Sequence, residues 1–181
     1  MRLLFSILAI TGTLMVGLFP TSLAIAQPDI GVAAKLVPSA ELVGKVRMTY
    51  FGFKVFDAAL YAPDGKYTAT SPYALKLTYL RNLKGKAIAE RSVKEIRRQG
   101  YRDEAKLAEW LTEMERIFPN VSNGSSIIGV RDSRGYAVFY KNGRRLGSIN
   151  DSGFARRFFA IWLGRNTKDP DLRARLIGKS S

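Results

Sequence analysis

The hydrophobic and polar positions change period along the chain, and the first part has the pattern of β-strands. Residues 42–61 are rich in β-branched and aromatic side chains, which favour strand. Gly52 interrupts this segment, where either a hairpin turn or a β-bulge fits the pattern. After a predicted turn at residues 62–65, residues 73–79 alternate large apolar side chains with Ala, Lys and Thr, which indicates a half-buried strand.

The next segment changes to a helical period. Between Lys86 and Gln99 the apolar side chains recur three or four positions apart, and Gly100 can end this helix. Asp103 can cap a second helix, whose apolar stripe ends just before Pro119. The spacing therefore predicts two consecutive helices after the early strands.

Three short strands and two more helices complete the pattern. The dipeptide Asn142-Gly143 is a strong hairpin signal between two of the strands. Asp151 can cap a helix that runs to Leu163, and Asp169 with Pro170 can open a last short helix. The three strands are predicted at residues 126–130, 136–140 and 146–149.

The resulting order of elements is β-β-β-α-α-β-β-β-α-α. Short turns between strands favour antiparallel pairing, and helices grouped between and after the strands favour one helical layer. The sequence therefore predicts an α+β fold in which one antiparallel sheet has its helices packed on one face.

The first 26 residues have the features of a cleaved signal peptide. Arg2 precedes a mostly apolar, uncharged run, and Ala24-Ile25-Ala26 has the form of a small-x-small cleavage site. An uncleaved membrane anchor is the alternative, but the run is short for a span and no charged residue directly follows it. We therefore expect cleavage near Ala26 and a periplasmic or secreted protein.

The rest of the chain is interpreted as one domain with a short lead-in. Residues 27–39 contain Pro28 and Pro38, which predict a loose lead-in segment. Residues 40–181 then form the domain. Removing the leader leaves 155 of the 181 residues, which is enough chain to bury a core and to enclose a cavity.

The composition excludes much familiar enzyme chemistry. The chain has no cysteine and no histidine, so it cannot form a Ser-His-Asp triad, a cysteine nucleophile, a disulfide or a Cys/His metal site. Its sequence also lacks a glycine-rich phosphate loop and a metal-binding motif. We therefore expect no cofactor and no bound metal.

The chain is strongly basic, with a formal net charge of +14, or +13 without the leader, whose only charged residue is Arg2. Such a charge is either a solvated surface or an attraction to anionic partners. Export argues against nucleic acid, so the expected partner is a small anionic ligand or an anionic membrane surface. The sequence leaves the oligomeric state open.

Two charged residues in the predicted strands are candidates for a ligand site. Arg47 lies between apolar residues and is either solvent-facing or an anion anchor, because a guanidinium can hold a carboxylate at two points. Asp57 lies in a similar apolar setting, where a structural ion pair or a bulge position is favoured over a functional carboxyl group. Whether the two share a face depends on the geometry at Gly52.

Aromatic residues supply further candidates. Tyr61 and Tyr79 can present hydroxyl groups to a cavity, although tyrosines on a sheet are more often packing residues. The helix with Arg156 and Arg157 mixes basic and aromatic residues, and a membrane-surface helix is one interpretation. Residues 154–162 already hold a complete apolar stripe, however, which favours a core helix with exposed arginines.

Several short segments recur in a characteristic order and spacing between residues 40 and 178. They are Leu42-Val43-Gly44 with Arg47, residues 52–61, Tyr79-Leu80, residues 88–92, Phe118-Pro119, residues 139–143 and residues 158–164. No single segment is decisive, but together they resemble the chalcone isomerase-like family, in particular an exported bacterial branch of it.

The resemblance implies an open-faced β-sandwich, with a large antiparallel sheet, a layer of helices and a ligand cleft between them. Plant enzymes of this family cyclise chalcones to flavanones, some relatives bind fatty acids, and others are non-catalytic partners. The arginine that holds an oxyanion in the enzymes aligns with Arg47, and in the fatty-acid-binding relatives the matching arginine holds the carboxylate.

The other catalytic positions of the family do not carry over. By this alignment, Ile88 stands at the enzymes' tyrosine, Glu95 at their asparagine, Phe56 near their threonine and Ile161 near a late hydroxyl residue. Losing these donors removes groups that stabilise enolate charge, and it leaves an apolar cleft with one cationic anchor.

The sequence therefore favours a non-catalytic periplasmic protein that binds a fatty-acid-like or other amphipathic anion. Two alternatives stay open, namely an intramolecular lyase that acts on an enone with Arg47 as its catalytic residue, and a basic envelope-associated interaction protein. The candidate ligand-binding residues are Arg47, Asp57, Tyr61, Tyr79, Ile88 and Glu95.

Overall fold

One antiparallel sheet of six strands organises residues 29–179, which are the residues that the structure, a computed structural model, describes. Each strand is hydrogen bonded to its neighbours in sequence, so the sheet order is the chain order. The predicted signal peptide, residues 1–26, lies outside the described residues. The strands are β1 (Ala40–Tyr50), β2 (Phe53–Pro63), β3 (Tyr73–Tyr79), β4 (Ser126–Arg131), β5 (Ala137–Lys141) and β6 (Arg144–Ile149).

Four α-helices pack against one face of this sheet, two between β3 and β4 and two after β6. The antiparallel sheet and its helical layer confirm the predicted α+β class and the predicted element order. Within residues 29–179, no helix is long and apolar enough to cross a bilayer. The helices are α1 (Gly85–Arg98), α2 (Glu104–Ile117), α3 (Ser152–Leu163) and α4 (Pro170–Leu176).

The alternation of side chains gives the sheet two faces with different coverings. On β2, Ala58 and Leu60 belong to the core beneath the four helices, whereas Ala59 and Tyr61 belong to a smaller core on the opposite face. Because this part of β2 is buried on both faces, its sequence is a continuous apolar run without the usual alternation.

The lead-in segment differs from the sequence-based expectation. The prolines predict a loose segment, but Gly31–Leu36 form a 3₁₀ helix that packs on the face opposite the four α-helices. Ile30, Ala33 and Val37 are fully buried there, at spacings of three and four residues. They cover apolar side chains of β2 to β5 that the helical layer cannot reach, and this burial orders the segment.

The chain reverses between β1 and β2 at Phe51 and Gly52. Of the two alternatives for Gly52, a hairpin turn or a β-bulge, the structure therefore has the hairpin turn. The two residues have positive φ angles of 47° and 77°, as a two-residue type I′ turn requires. The predicted hairpin at Asn142 and Gly143 has nearly the same angles, 48° and 77°. Glycine and asparagine adopt this conformation readily, whereas a phenylalanine is strained in it.

Asp151 fixes the start of α3, which carries several side chains of the candidate site. Its carboxylate accepts hydrogen bonds from the backbone N–H groups of Gly153 (2.7 Å) and Phe154 (3.0 Å). It also accepts one from Nε1 of Trp110 on α2, at 3.0 Å. Burial raises the pKa of Asp151, but these hydrogen bonds and that of Lys106 together outweigh burial and lower the pKa. One carboxylate therefore joins the start of α3 to α2.

Replacing Asp151 by alanine is expected to lower the free energy of unfolding by about 2–3 kcal/mol at neutral pH. The variant loses the helix cap and leaves the indole N–H of buried Trp110 without its acceptor. Asp103→Ala is the matched control, because Asp103 caps α2 through one backbone contact, and its loss should cost about 1 kcal/mol. Urea denaturation of the three proteins measures both values.

The effect of Asp151→Ala should also depend on pH. The pKa of folded Asp151 lies below its unfolded value of about 3.9, so its contribution is complete above that pH and is lost as the pH falls further. Equal denaturation midpoints for the wild type and Asp151→Ala at neutral pH would contradict this role for the cap.

Candidate functional site

A cavity of about 330 Å³ lies between the sheet and the helical layer. Its walls are mostly aliphatic and aromatic, with side chains from β1 to β5 and from α1 and α3. The volume falls within the range of small-molecule sites, which is roughly 300–1,000 Å³. The apolar lining residues include Met48, Val55, Phe56, Leu75, Leu77, Ile88, Ile127, Phe139, Phe158, Phe159, Ile161 and Trp162.

Gly129 on β4 helps to keep this space open. A Cβ atom added at this position would lie 3.0 Å from the ring of Phe159 and 3.3 Å from the ring of Phe139. Either ring would have to move if the position carried a side chain. The glycine therefore preserves volume at the floor of the cavity.

The rim of the cavity is marked by its exposed lining residues, which are Arg81, Ala87 and Arg91. Arg81 lies in the loop after β3, and the other two lie on α1. Leu75 and Phe139, in contrast, are buried at the floor. The cavity therefore opens to solvent between the end of β3 and α1, at a rim that carries two arginines.

The guanidinium of Arg81 has no partner among the residues that the structure describes. It makes no hydrogen bond or salt bridge with any other residue of the described range 29–179. Its backbone is held in place, because the preceding residue, Leu80, donates its N–H to the carbonyl of Val55 at 2.9 Å. A cation in this position, at the rim of an apolar cavity, can attract and bind an anion.

Arg91 is instead paired with Glu95, whose side chain is buried one turn further along α1. The Glu95 carboxylate accepts a hydrogen bond from Nε of Arg98 and forms a salt bridge with Nη2 of Arg91, both at 2.6 Å. Glu95 is the only carboxylate among the described lining residues. Two arginines therefore offset the repulsion that it would exert on an anionic ligand.

Hydroxyl groups complete the polar part of the lining. Tyr79 is buried and packs edge-on against Phe56, and its hydroxyl has no hydrogen-bond partner within the described part of the chain. Burial raises the pKa of Tyr79 above its ordinary value, so its hydroxyl stays protonated at neutral pH and can donate to a ligand. Ser92 donates its own hydroxyl to the carbonyl of Ile88 at 2.9 Å, which leaves its oxygen free to accept.

These groups define the chemistry that the cavity can offer. Apart from Glu95, its polar side chains are guanidinium groups and hydroxyls. No three acidic side chains in residues 29–179 are grouped so that they could hold a metal ion. The cavity therefore suits a molecule with a sizeable apolar part and an anionic or hydrogen-bond-accepting end.

Three of the six candidate ligand-binding residues line this cavity, namely Tyr79, Ile88 and Glu95. Phe56 and Ile161, which the family resemblance places at further catalytic positions of the enzymes, line it as well. The positions that carry donor groups in the enzymes are thus part of the wall, and most of them have apolar side chains in this chain.

Arg47 and Asp57 lie outside the cavity, on the opposite face of the sheet. They are opposite each other on β1 and β2 and form a two-point ion pair, 2.6 Å from Nε to Oδ1 and 2.8 Å from Nη2 to Oδ2. Their sequence neighbours Met48 and Phe56 line the cavity, so strand alternation turns the charged side chains away from it. The interpretation of Arg47 as an anchor in the cleft is therefore wrong, and Asp57 forms the structural ion pair that the sequence favoured.

Tyr61 also lies outside the cavity, which contradicts its place among the candidate ligand-binding residues. It belongs to the smaller core on the opposite face, where Ile30 and Val37 pack. Burial, together with the charge of Asp29, raises the pKa of Tyr61. Its interpretation as a packing residue is the correct one, again because of strand alternation on β2.

The aromatic helix at residues 154–162 is a core helix. Phe154, Phe158 and Phe159 of α3 are buried beneath the helical layer. The guanidinium of Arg157 lies over the ring of Tyr101, at 4.1 Å from the ring centre. The core interpretation is therefore correct, but only Arg156 of the two arginines is exposed, since Arg157 is half-buried. The same apolar stripe supplies one wall of the cavity.

The two arginines of the rim, Arg81 and Arg91, are not among the candidate residues predicted from the sequence. Leu75, Leu77 and Tyr79 alternate on the cavity face of β3, and the same spacing of two residues leads to Arg81. Continuing the alternation past the end of the predicted strand would have identified it. Arg91 lies in a run of charged helical residues, for which a solvated helix face is the usual interpretation.

Comparisons with known proteins agree with this architecture. A family model described as chalcone isomerase-like matches residues 42–178. No curated protein matches the sequence. The 37 matching chains of solved structures include the crystal structure of a fatty-acid binding protein from Arabidopsis thaliana. The similarity covers 77% of this chain and 87% of that chain, with a TM-score of 0.60 and 15% sequence identity, and at this identity it shows the fold.

Arg47→Met is expected to raise the pKa of Asp57 back toward its ordinary value of about 3.9. In the wild type, the hydrogen bond from Arg47 holds the pKa of Asp57 below that value, against the opposing effect of burial. Side-chain carboxyl chemical shifts, followed by NMR during an acid titration, measure the change. Asp151 is the control, because other partners lower its pKa. An Asp57 titration that is identical in both proteins would show that the ion pair does not form in solution.

Proposed function

The chain belongs to the chalcone isomerase-like family, and from that premise we propose that it is a non-catalytic binding protein for a fatty-acid-like or other amphipathic anion. The apolar part of the ligand occupies the cavity between sheet and helices, and Arg81 binds its anionic group. We place this activity in the periplasm or outside the cell, because residues 1–26 have the composition of a cleaved signal peptide.

The observation that carries the proposal is the guanidinium of Arg81, which lies at the rim of an apolar cavity and has no partner within residues 29–179. A carboxylate with a hydrocarbon chain complements both features at once. Its two oxygens can accept parallel hydrogen bonds from the guanidinium, and its chain leaves water when it enters the cavity. A ligand that lacks either part would leave one of the two features unused.

Two neighbouring groups support an anionic end of the ligand. Tyr79 has a protonated hydroxyl in the lining that can donate a hydrogen bond. Arg91 holds a second guanidinium at the rim, and its partner Glu95 is shared with Arg98. Among the described lining residues, positive charge therefore exceeds negative charge.

The comparisons support the same class of ligand. The Arabidopsis thaliana neighbour, whose fold this chain shares, is a fatty-acid binding protein. Where the enzymes of the family carry donor groups, this chain has apolar residues such as Phe56, Ile88 and Ile161 in the cavity wall. Such side chains can contact a hydrocarbon chain, but they cannot stabilise the charge of an enolate.

The lyase alternative depends on Arg47, which does not line the cavity. That hypothesis assigns the binding of an oxyanion to Arg47, which lies on the opposite face of the sheet in its ion pair with Asp57. An enone bound in the cavity would therefore be separated from Arg47 by the sheet. A binding function needs only the residues that the cavity already brings together.

Arg81→Ala is expected to weaken the binding of a fatty-acid anion such as dodecanoate about tenfold to a hundredfold, since a hydrogen bond to a charged group contributes about 1.5–3 kcal/mol. Arg47→Ala is the matched control, and it should leave the affinity unchanged because Arg47 lies on the other face. Calorimetric titration of delipidated protein measures the dissociation constants. Dodecanol, which has no charge, should bind the wild type and Arg81→Ala alike.

Other results would separate the remaining hypotheses. Equal effects of the two arginine substitutions, or no effect of either, would defeat the assignment of Arg81 as the anchor. Absence of fatty-acid binding by the wild type would defeat the proposed function as a whole. Loss of chalcone absorbance faster than in buffer alone would support the lyase alternative instead.

Affinity is also expected to depend on the length of the hydrocarbon chain. Each added CH₂ group should strengthen binding about fourfold, from about 0.8 kcal/mol per buried group, until the chain fills the cavity. A calorimetric series of saturated acids of increasing length locates this plateau. Gly129→Ala, which narrows the floor, should move the plateau to a shorter acid. A series with no dependence on length would show that the chain does not enter the cavity.

A further inference from the structure

The turn between β1 and β2 exposes two large aromatic side chains. Phe51 is 83% exposed and Phe53 is 68% exposed, which are the highest values among the large hydrophobic residues that the structure describes. We refer to residues 51–53 as the hairpin tip. Scattered single apolar residues are normal on a protein surface, but two aromatic rings at one protruding turn form an apolar patch, and such patches indicate an interaction.

The backbone of the hairpin tip adds to this indication. Phe51 has a φ angle of 47°, a conformation that favours asparagine or glycine and strains a phenylalanine. The residue therefore weakens the turn relative to a polar alternative, while most of its surface stays in contact with water. A role outside the folded core of the protein accounts for both observations.

The hairpin tip lies beside the rim of the cavity. Met48 and Val55, which flank the tip on β1 and β2, line the cavity. The backbone N–H of Leu80 donates to the carbonyl of Val55 at 2.9 Å, which places Arg81 beside the same end of the hairpin. The exposed aromatic rings and the opening of the cavity are therefore at one end of the sheet.

The segments around the hairpin tip are basic. Residues 44–56 and residues 80–89 contain no aspartate and no glutamate. Asp57, which directly follows the first segment, forms an ion pair with Arg47 and also interacts electrostatically with Lys45 and Lys54. Six cations against this one carboxylate leave the surroundings of the hairpin tip positively charged. The basic residues of the two segments are Lys45, Arg47, Lys54, Arg81, Lys84 and Lys86.

We propose that the hairpin tip is a membrane-docking element, which inserts Phe51 and Phe53 into the interface of an anionic lipid layer. The basic side chains of the two flanking segments other than Arg47, which is paired with Asp57, bind the anionic headgroups, because lysine and arginine near such a surface are attracted to it. Docked in this way, the protein turns the rim with Arg81 toward the lipid, and an amphipathic ligand can pass between the layer and the cavity. Only this last step rests on the proposed function.

Charge and area favour a lipid layer over a second copy of the chain. The net charge is +14, so two copies repel each other. Two aromatic side chains offer about 300–500 Å² of surface, whereas a stable protein interface buries about 800 Å² on each partner. A fluid anionic layer needs no matching pocket for the rings, and it attracts the basic residues around them.

Sedimentation with lipid vesicles tests the proposal. The wild type should bind vesicles of phosphatidylglycerol and phosphatidylcholine about tenfold or more tightly than vesicles of phosphatidylcholine alone. The double substitution Phe51→Asn and Phe53→Thr should weaken binding to the anionic vesicles about tenfold or more. Asparagine suits the left-handed turn and threonine suits a strand, so this variant should fold at least as well as the wild type.

Two single substitutions serve as controls for position and charge. Leu42 is also exposed but lies near the other end of β1, about 30 Å from the hairpin tip, so Leu42→Thr should bind like the wild type. Lys54→Gln should bind anionic vesicles more weakly than the wild type does. Binding of the wild type to these vesicles should also weaken as the salt concentration rises, because the headgroup attraction is electrostatic.

Tryptophan fluorescence shows which residue enters the lipid. Phe53→Trp should give a blue shift and quenching by brominated lipids when anionic vesicles are added, measured against the wild type, which contains Trp110 and Trp162. Leu42→Trp should show neither change. Identical behaviour of the two introduced tryptophans would contradict insertion of the hairpin tip.

Equal binding of anionic vesicles by the wild type and the double variant would overturn the proposal, as would equal binding of anionic and neutral vesicles. A dimeric wild type and a monomeric double variant in sedimentation velocity, with no vesicle binding by either, would assign the hairpin tip to a second copy instead. These outcomes are separate from fatty-acid binding, because the double variant keeps Arg81 and the cavity lining.

Discussion

Strand alternation is the constraint on which the candidate site depends, because successive side chains of a β-strand point to opposite faces of the sheet. On β1 and β2 it directs Met48 and Phe56 toward the helices and turns Arg47 and Asp57 to the other face, where they pair. The pairing removes one cation and one anion from the surroundings of the cavity. The sheet therefore offers a ligand a mostly apolar wall. Apart from the Tyr79 hydroxyl on β3, the polar groups of the site come from the loop after β3 and from α1.

Local sequence signals were sufficient to predict the elements, because each is determined within a few residues. Asp151 accepts the hydrogen bonds of a helix cap, and Asn142-Gly143 forms the expected turn. The site, in contrast, depends on the turn at Phe51-Gly52 and on the register shift beside Met48, which together determine the face of each residue between them. Pairing between strands decides such features, so spacing along the chain could not place Arg47. The lead-in segment is likewise ordered by residues that are distant in sequence, because it packs against side chains of β2 to β5.

The charged residues of the site differ in whether they already have ion-pair partners. Glu95 is buried in the wall, and a buried carboxylate is stable only with partners, which Arg91 and Arg98 supply. Both arginines therefore already have a partner, and their ion pairs stabilise the buried carboxylate on α1. Arg81 extends from a loop whose backbone is bonded to β2, and it has no partner among the described residues. The site thus combines a fixed ion cluster with one cation that an incoming anion can use.

The stability of the fold and the exposure of the hairpin tip depend on different parts of the molecule. The main core buries large side chains such as Trp110 and Phe154 and the smaller core buries Ile30, whereas neither contains residues 51–53. Strain at Phe51 is tolerated because the turn joins two eleven-residue strands that are paired along their length. Since the hairpin tip and the rim of the cavity lie at the same end of the sheet, a surface that holds the tip also faces the opening. The geometry of the sheet would thus couple the proposed docking to the proposed ligand exchange without a change of conformation.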